Sequence, residues 1–190
     1  MILIFTTILS TIRITYLIKN QKPFVFYKEI LGLGFLIYIL CLFYVVTFQD
    51  VSWSTSNFIP FKEMFRYEIG SPLFFRNVVG NMIMFMPYGF FISYFLKLEK
   101  PRSAFFLILI ASTTIEITQS AIGRVFDIDD ILLNLVGGLC GFCLFHLIIR
   151  IQQHLPDVLK KTLFYNIMMV IILLGMILYF YNLVIMGGIK

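Results

Sequence analysis

AFFLILIASTTIEITQSAIGRVFDIDDILLNLVGGLCGFCLFHLIIR, residues 104–150, consists of two apolar runs joined by a short polar turn. Residues 104–115 and 131–149 contain no Asp, Glu, Lys or Arg, whereas Glu116, Gln119, Arg124, Asp127, Asp129, Asp130 and Asn134 crowd into the joint. Each run approaches the ~17–25 residues that cross a bilayer as a helix. A helix is the form in which an apolar run satisfies its own backbone in lipid. The stretch therefore reads as two membrane helices, 104–122 and 131–150, with polar groups gathered at one end of the pair.

The rest of the chain extends this pattern. Of 190 residues, 60% are hydrophobic and 13% charged, and the mean hydropathy is +0.94. That leaves too little polar surface to cover a water-soluble domain. A porin-type barrel would show short alternating segments instead. Further apolar segments lie at 1–18, 30–48, 76–97 and 163–187. The predicted fold class is all-α: a polytopic membrane helical bundle of about six transmembrane helices, forming one integral membrane domain over residues 1–190. The first segment is the weakest because Arg13 interrupts it, about five residues from its end, where the side chain can snorkel to the interface. The N-terminal run lacks a basic start and a small-residue cleavage site, so no cleavable signal peptide is expected.

The formal charge of +5 does not point to nucleic acid. The basic residues flank apolar runs, as topology signals do. Lys19, Lys22, Lys28, Lys97, Lys100, Arg102, Arg150, Lys160 and Lys161 fall in one set of loops, and Lys62, Arg66, Arg76, Arg124 and Lys190 in the other. The excess of Lys and Arg places the first set in the cytoplasm and both termini outside. Cys41, Cys140 and Cys143 all lie in apolar segments, where packing is the expected role.

The 49–75 loop, on the outer side in this topology, carries Phe58, Phe61, Met64 and Phe65 at spacings near three and four, with Lys62, Glu63, Arg66 and Glu68 between them. This predicts a short amphipathic helix on the outer surface, closed by Gly70-Ser71-Pro72; Trp53 and Tyr67 suit the interface. Helix 76–97 enters from the same side with Arg76, and with Asn77 and Asn81 four residues apart on one face. Glu116 and Gln119 share a face near the outer end of 104–122, and Asn134 lies one turn into 131–150. At 1.5 Å per residue, Asn81, Glu116 and Asn134 sit roughly 6–10 Å below the interface, forming one outward-facing pocket. A carboxylate there costs several kcal/mol unless paired, hydrated or protonated, so Glu116 needs a partner. Arg124 and Arg76 are the candidate cations, and Gln119 and Asn81 the candidate amide donors. Gly137, Gly138 and Gly141 permit close helix contact, and Pro87-Tyr-Gly89 is expected to kink its helix.

RNVVGNMIMFMPYGFF (76–91) and EITQSAIGRVFDIDDILLNLVGGLCG (116–141) together resemble the VanZ-like family. The resemblance rests on Asn77, Asn81, Phe85, Pro87, Gly89, Glu116, Gln119, Arg124, Asp127, Asp130, Asn134 and Gly137, and covers roughly residues 55–150. It implies a bacterial, multi-pass protein of the cytoplasmic membrane, of a family associated with resistance to glycopeptide antibiotics such as teicoplanin.

Three functions fit these residues. The first is binding of a lipid-linked cell-wall precursor or lipoglycopeptide in the outward pocket, with Asn77, Asn81, Gln119, Asp127, Asn134 and Arg76 as ligand contacts and membrane lipids as surroundings. The second is an intramembrane enzyme acting on a lipid head group or envelope polymer. Glu116 or Asp130 would then be acid or base and Arg124 would hold an anionic group, with Asp127, Asp129 and Asp130 able to recruit a divalent cation. The third is transport of a small solute or protons. No cofactor follows from the sequence.

Overall fold

The structure is a computed structural model of the chain and describes residues 2–48 and 56–187. Trp53 and Lys190, which entered the reading above, lie outside the described residues. The fold is helical: α1 (Ile2–Lys19), α2 (Phe26–Phe48), α3 (Pro72–Leu96), α4 (Pro101–Ala121), α5 (Ile128–His154), a short α6 (Asp157–Lys160) and α7 (Thr162–Gly187). Among the described residues, α2, α3, α4, α5 and α7 are long and apolar enough to cross a membrane. The protein is thus an all-α, multi-pass membrane bundle. The segment interrupted by Arg13 is helical as α1 but is not among those five.

Helix ends follow local chemistry. Ser71 caps α3, its Oγ accepting from Phe74 N at 3.1 Å, with Pro72 at the first helical position. This is where a missing N–H costs nothing. Pro101 opens α4 in the same way. Lys97 ends α3 in the left-handed conformation, and His146 Nε2 lies 3.0 Å from the Leu98 carbonyl just beyond it.

The chain divides into two compact units. One comprises residues 1–36 and 151–190. Here Arg13 does not merely snorkel; its guanidinium forms a two-pronged pair with Glu29, at 3.0 and 3.1 Å. The Asn166 side chain accepts from Tyr27 N at 3.1 Å, and Gln152 Nε2 donates to the Tyr165 hydroxyl at 2.7 Å.

The other unit, Ile37–Arg150, holds the polar joint. Phe85, Ala104, Ile108, Ser93 and Ser112 are fully enclosed in its core. Helices α3 and α5 touch backbone to backbone along a glycine seam. A Cβ on Gly137 would overlap the Met82 carbonyl, one on Gly141 the Met86 carbonyl, and one on Gly89 the Gly138 carbonyl. Ile108 of α4 packs over Gly138, 2.7 Å from where its Cβ would stand. The glycines thus serve packing, as expected, and α3 remains helical through Pro87. All three cysteines are free and lie on exposed helix surfaces.

A wide turn interrupts the start of α3. Residues Phe75–Val79 form a π-helical turn, with Gly80 N donating to the Phe75 carbonyl. The extra residue in this turn shifts the phase of the helix.

Candidate functional site

The polar joint folds into two layers, a roof and a cluster beneath it. Residues 57–66 make the roof. Asn57 N donates to the Phe126 carbonyl at 2.8 Å and Ile128 N to the Asn57 carbonyl at 3.1 Å, an isolated parallel bridge to Asp127. The Asn57 amide adds a bond to Asp127 Oδ1 at 2.9 Å, and Phe58 stacks on Phe126. The expected amphipathic helix is reduced to a three-residue 3₁₀ turn, Met64–Arg66. Its physical cause is Asp129. Phe61 adopts a left-handed backbone, φ 67°, and such a reversal makes a concave nest of backbone N–H groups that binds anions. The Asp129 carboxylate, 1% exposed, fills the nest. It accepts from Phe61 N, from Glu63 N at 2.8 Å and from Met64 N at 3.0 Å. The apolar side chains of the roof face outward: Phe58, Ile59, Phe61 and Phe65 are all exposed.

Asp127 is the N-cap of α5. Its Oδ1 accepts from Asp129 N at 2.9 Å, the usual service of an N-cap carboxylate. Burial lifts the Asp127 carboxyl above its ordinary range, against the pull of the donors from Asp129 and Asn57. The acids suggested as a joint cation site take separate partners. Asp127 serves the helix end and Asn57, Asp129 serves the roof, and Asp130 bonds Asn81. Among the described residues, no group of three His, Cys, Asp or Glu side chains is arranged to hold a metal ion.

The cluster below joins α3, α4 and α5. Glu116 is 2% exposed, and both its oxygens are engaged. Oε2 accepts from Asp127 N at 3.1 Å. Gln119, its amide turned to satisfy both neighbours, donates to Oε1 at 2.9 Å and accepts from Arg124. The expected Glu116–Arg124 pairing is thus relayed through Gln119. Arg124 also acts electrostatically on both Glu116 and Asp130. Asn81 Nδ2 donates to Asp130 Oδ1, joining α3 to α5. One turn deeper, Asn134 Nδ2 donates to Ser112 Oγ at 3.0 Å, joining α5 to α4. Asn134 is 3% exposed, and its Oδ1 is buried without a hydrogen-bond partner.

Of the residues singled out in the sequence, Glu116, Gln119, Arg124, Asn81, Asp130 and Asn134 belong to this cluster, and Asp127 joins it to the roof. Arg76 is exposed and Asn77 half-buried, and neither side chain has a hydrogen bond or ion pair among the described residues. Asn57, Ser112 and the anchoring role of Asp129 were not read from the sequence. Their partners are 70, 22 and about 66 residues away along the chain, beyond any local spacing. A separate groove of about 720 Å³ opens along the other half of α5, lined by Met86, Cys140, Cys143, His146, Leu147 and Arg150 among others; none of the cluster residues lines it.

The VanZ/LLP1 family model matches residues 35–150, more than half the chain and nearly the same span as the unit Ile37–Arg150. No curated protein and no solved structure matches.

Proposed function

The chain belongs to the VanZ/LLP1 family, and on that premise we propose that it binds the head group of a lipid-linked cell-wall precursor or of a lipoglycopeptide such as teicoplanin. In this reading the protein resides in a bacterial cytoplasmic membrane with both termini and the roof outside. One observation carries it: three helices and the turn between α4 and α5 bring Asn81, Glu116, Gln119, Arg124, Asp130 and Asn134 together beneath a roof that exposes Phe58, Phe61 and Phe65. Polar groups retained inside a membrane protein are costly unless used, and amphipathic aromatic surfaces sit at the lipid interface. The cluster would grip the polar head while the aromatic roof lay against the acyl chains. Sequestration of this kind at the outer face would alter susceptibility to glycopeptides without changing the chemistry of the envelope.

The test is direct titration of the purified protein in nanodiscs with teicoplanin and with a lipid-linked precursor. Binding of at least one, weakened roughly tenfold or more by Arg124→Gln, is the expected result. A folded protein that binds neither would refute the reading.

A second reading, acid–base catalysis on a lipid head group, draws support from Asp130. Its Oδ1 is engaged by Asn81, whereas both Glu116 oxygens are engaged, so Asp130 is the better placed of the two acids to meet a substrate proton. Mass spectrometry of envelope lipids separates the readings. A species that changes with wild type but not with Asp130→Asn, at matched membrane levels, would favour the enzyme.

A further inference from the structure

Asn81 of α3 bonds Asp130 of α5, and Asn134 follows Asp130 by four residues on α5; each of the three has an acceptor oxygen with no hydrogen bond among the described residues. These oxygens are Asn134 Oδ1, the second carboxylate oxygen of Asp130 and the amide oxygen of Asn81. Asp130 and Asn81 use their other atoms on each other, and Asn134 spends its nitrogen on Ser112. Asn134 Oδ1 is buried as well as unpartnered. Helical side chains tilt toward the N-terminus of their helix, so Asn134 leans up α5 toward Asp130, one turn above. A buried acceptor without a donor bears its full desolvation cost, and buried acceptors in native folds are nearly always met by a donor. Glu116 does not compete for that donor, since both its oxygens are engaged.

We propose that the floor of this site receives a primary ammonium group of the ligand, donating to Asn81, Asp130 and Asn134. A primary ammonium has three N–H donors, no acceptor and one positive charge. It therefore meets three oxygens and balances the one carboxylate among them. A quaternary ammonium has the charge but no donor, and a hydroxyl has a single donor and no charge. The inference rests on the binding reading above and narrows it to ligands that carry a primary amine. The amine can belong to a membrane lipid or to a soluble molecule.

The probe is a pair of lipids that differ at this group alone: phosphatidylethanolamine, with a primary ammonium, and phosphatidylcholine, with a quaternary one. Full-length protein is equilibrated in nanodiscs holding both in equal amounts, and the lipid retained on release into detergent is counted by native mass spectrometry. The ethanolamine lipid is expected to be retained over the choline lipid by roughly tenfold. Asn134→Leu and Asp130→Asn should each abolish the preference, and Arg76→Gln should leave it intact. If Asn134→Leu does not fold, Asp130→Asn decides, because it keeps the shape of the side chain. Soluble ethylammonium that displaces the retained lipid identifies a free amine as sufficient, and failure to displace it identifies a lipid-borne one; both results support the ammonium site. Equal retention of the two lipids by wild type overturns it, as does a preference that survives in folded Asp130→Asn. Such a failure is distinct from failure of the binding reading, because teicoplanin or precursor titration is scored separately.

Discussion

Asp129 and Asp130 are adjacent in sequence and opposite in use. Asp129 belongs to the roof, where its carboxylate is enclosed and occupied by three backbone N–H groups. Asp130 belongs to the cluster, where one side-chain amide holds it and the residue remains partly accessible. The first carboxylate determines the shape of a loop. The second leaves capacity for a visitor. The difference comes from the helix: residues 100° apart around α5 meet different neighbours, a loop on one side and α3 on the other. An acidic run near a membrane surface is therefore not one site, and counting its charges would overstate what is available to a ligand.

The sharpest way to break this comparison is Asp129→Ala. It would leave the roof N–H groups of Phe61, Glu63 and Met64 without their acceptor, at about 3 kcal/mol or more. The expected outcome is a markedly lower unfolding temperature in detergent and rapid proteolysis within residues 57–66. If Asp129→Ala unfolds with the wild-type profile, the roof is not held by this carboxylate. Next in size, Asp127→Ala removes the N-cap of α5 and the acceptor for Asn57, and should cost about 1–2 kcal/mol, read from the same unfolding experiment. Asp130→Asn should change stability by about 0.5 kcal/mol or less while weakening ligand retention, the reverse of the Asp129 pattern. A large stability loss there would place Asp130 with the roof.

The smallest effect is one of pH. Burial raises the Asp127 carboxyl in the folded protein, so between its ordinary and its raised value the folded state binds more protons than the unfolded chain. Its contribution to stability therefore declines as pH rises through that window and is recovered as pH falls below it. Asp127→Asn should flatten this part of the stability profile, visible as a smaller difference in unfolding midpoint between mildly acidic and neutral buffer. An unchanged slope would assign the pH dependence to another group.

Much of the bundle was legible because membrane helices declare themselves by length and apolarity. The segments read at 30–48, 76–97, 104–122, 131–150 and 163–187 correspond to α2, α3, α4, α5 and α7 within a few residues. The glycine spacing of α5 also announced close packing, and a close glycine contact with α3 is what the structure contains. The roof misled periodicity. Phe58, Phe61, Met64 and Phe65 have helical spacing, but a left-handed Phe61 and a distant carboxylate redirect the backbone, and neither leaves a mark in a local window. Gathering Asn81, Glu116 and Asn134 required only depth and helix direction, which the sequence does carry. Which atoms bond which, as in the Gln119 relay between Glu116 and Arg124, depends on side-chain orientation and does not follow from spacing.

The glycine seam has one more consequence. Met82 follows Asn81, and Gly137 lies three residues beyond Asn134, so the first backbone contact of α3 with α5 sits immediately below the cluster. With no side chain between the helices, the gap between Asn81 and Asp130 is gauged by main chain rather than by rotamers. The seam is a caliper whose jaws are the two polar residues, set to a fixed opening. A single added methyl group at Gly137 would open those jaws without touching either tip.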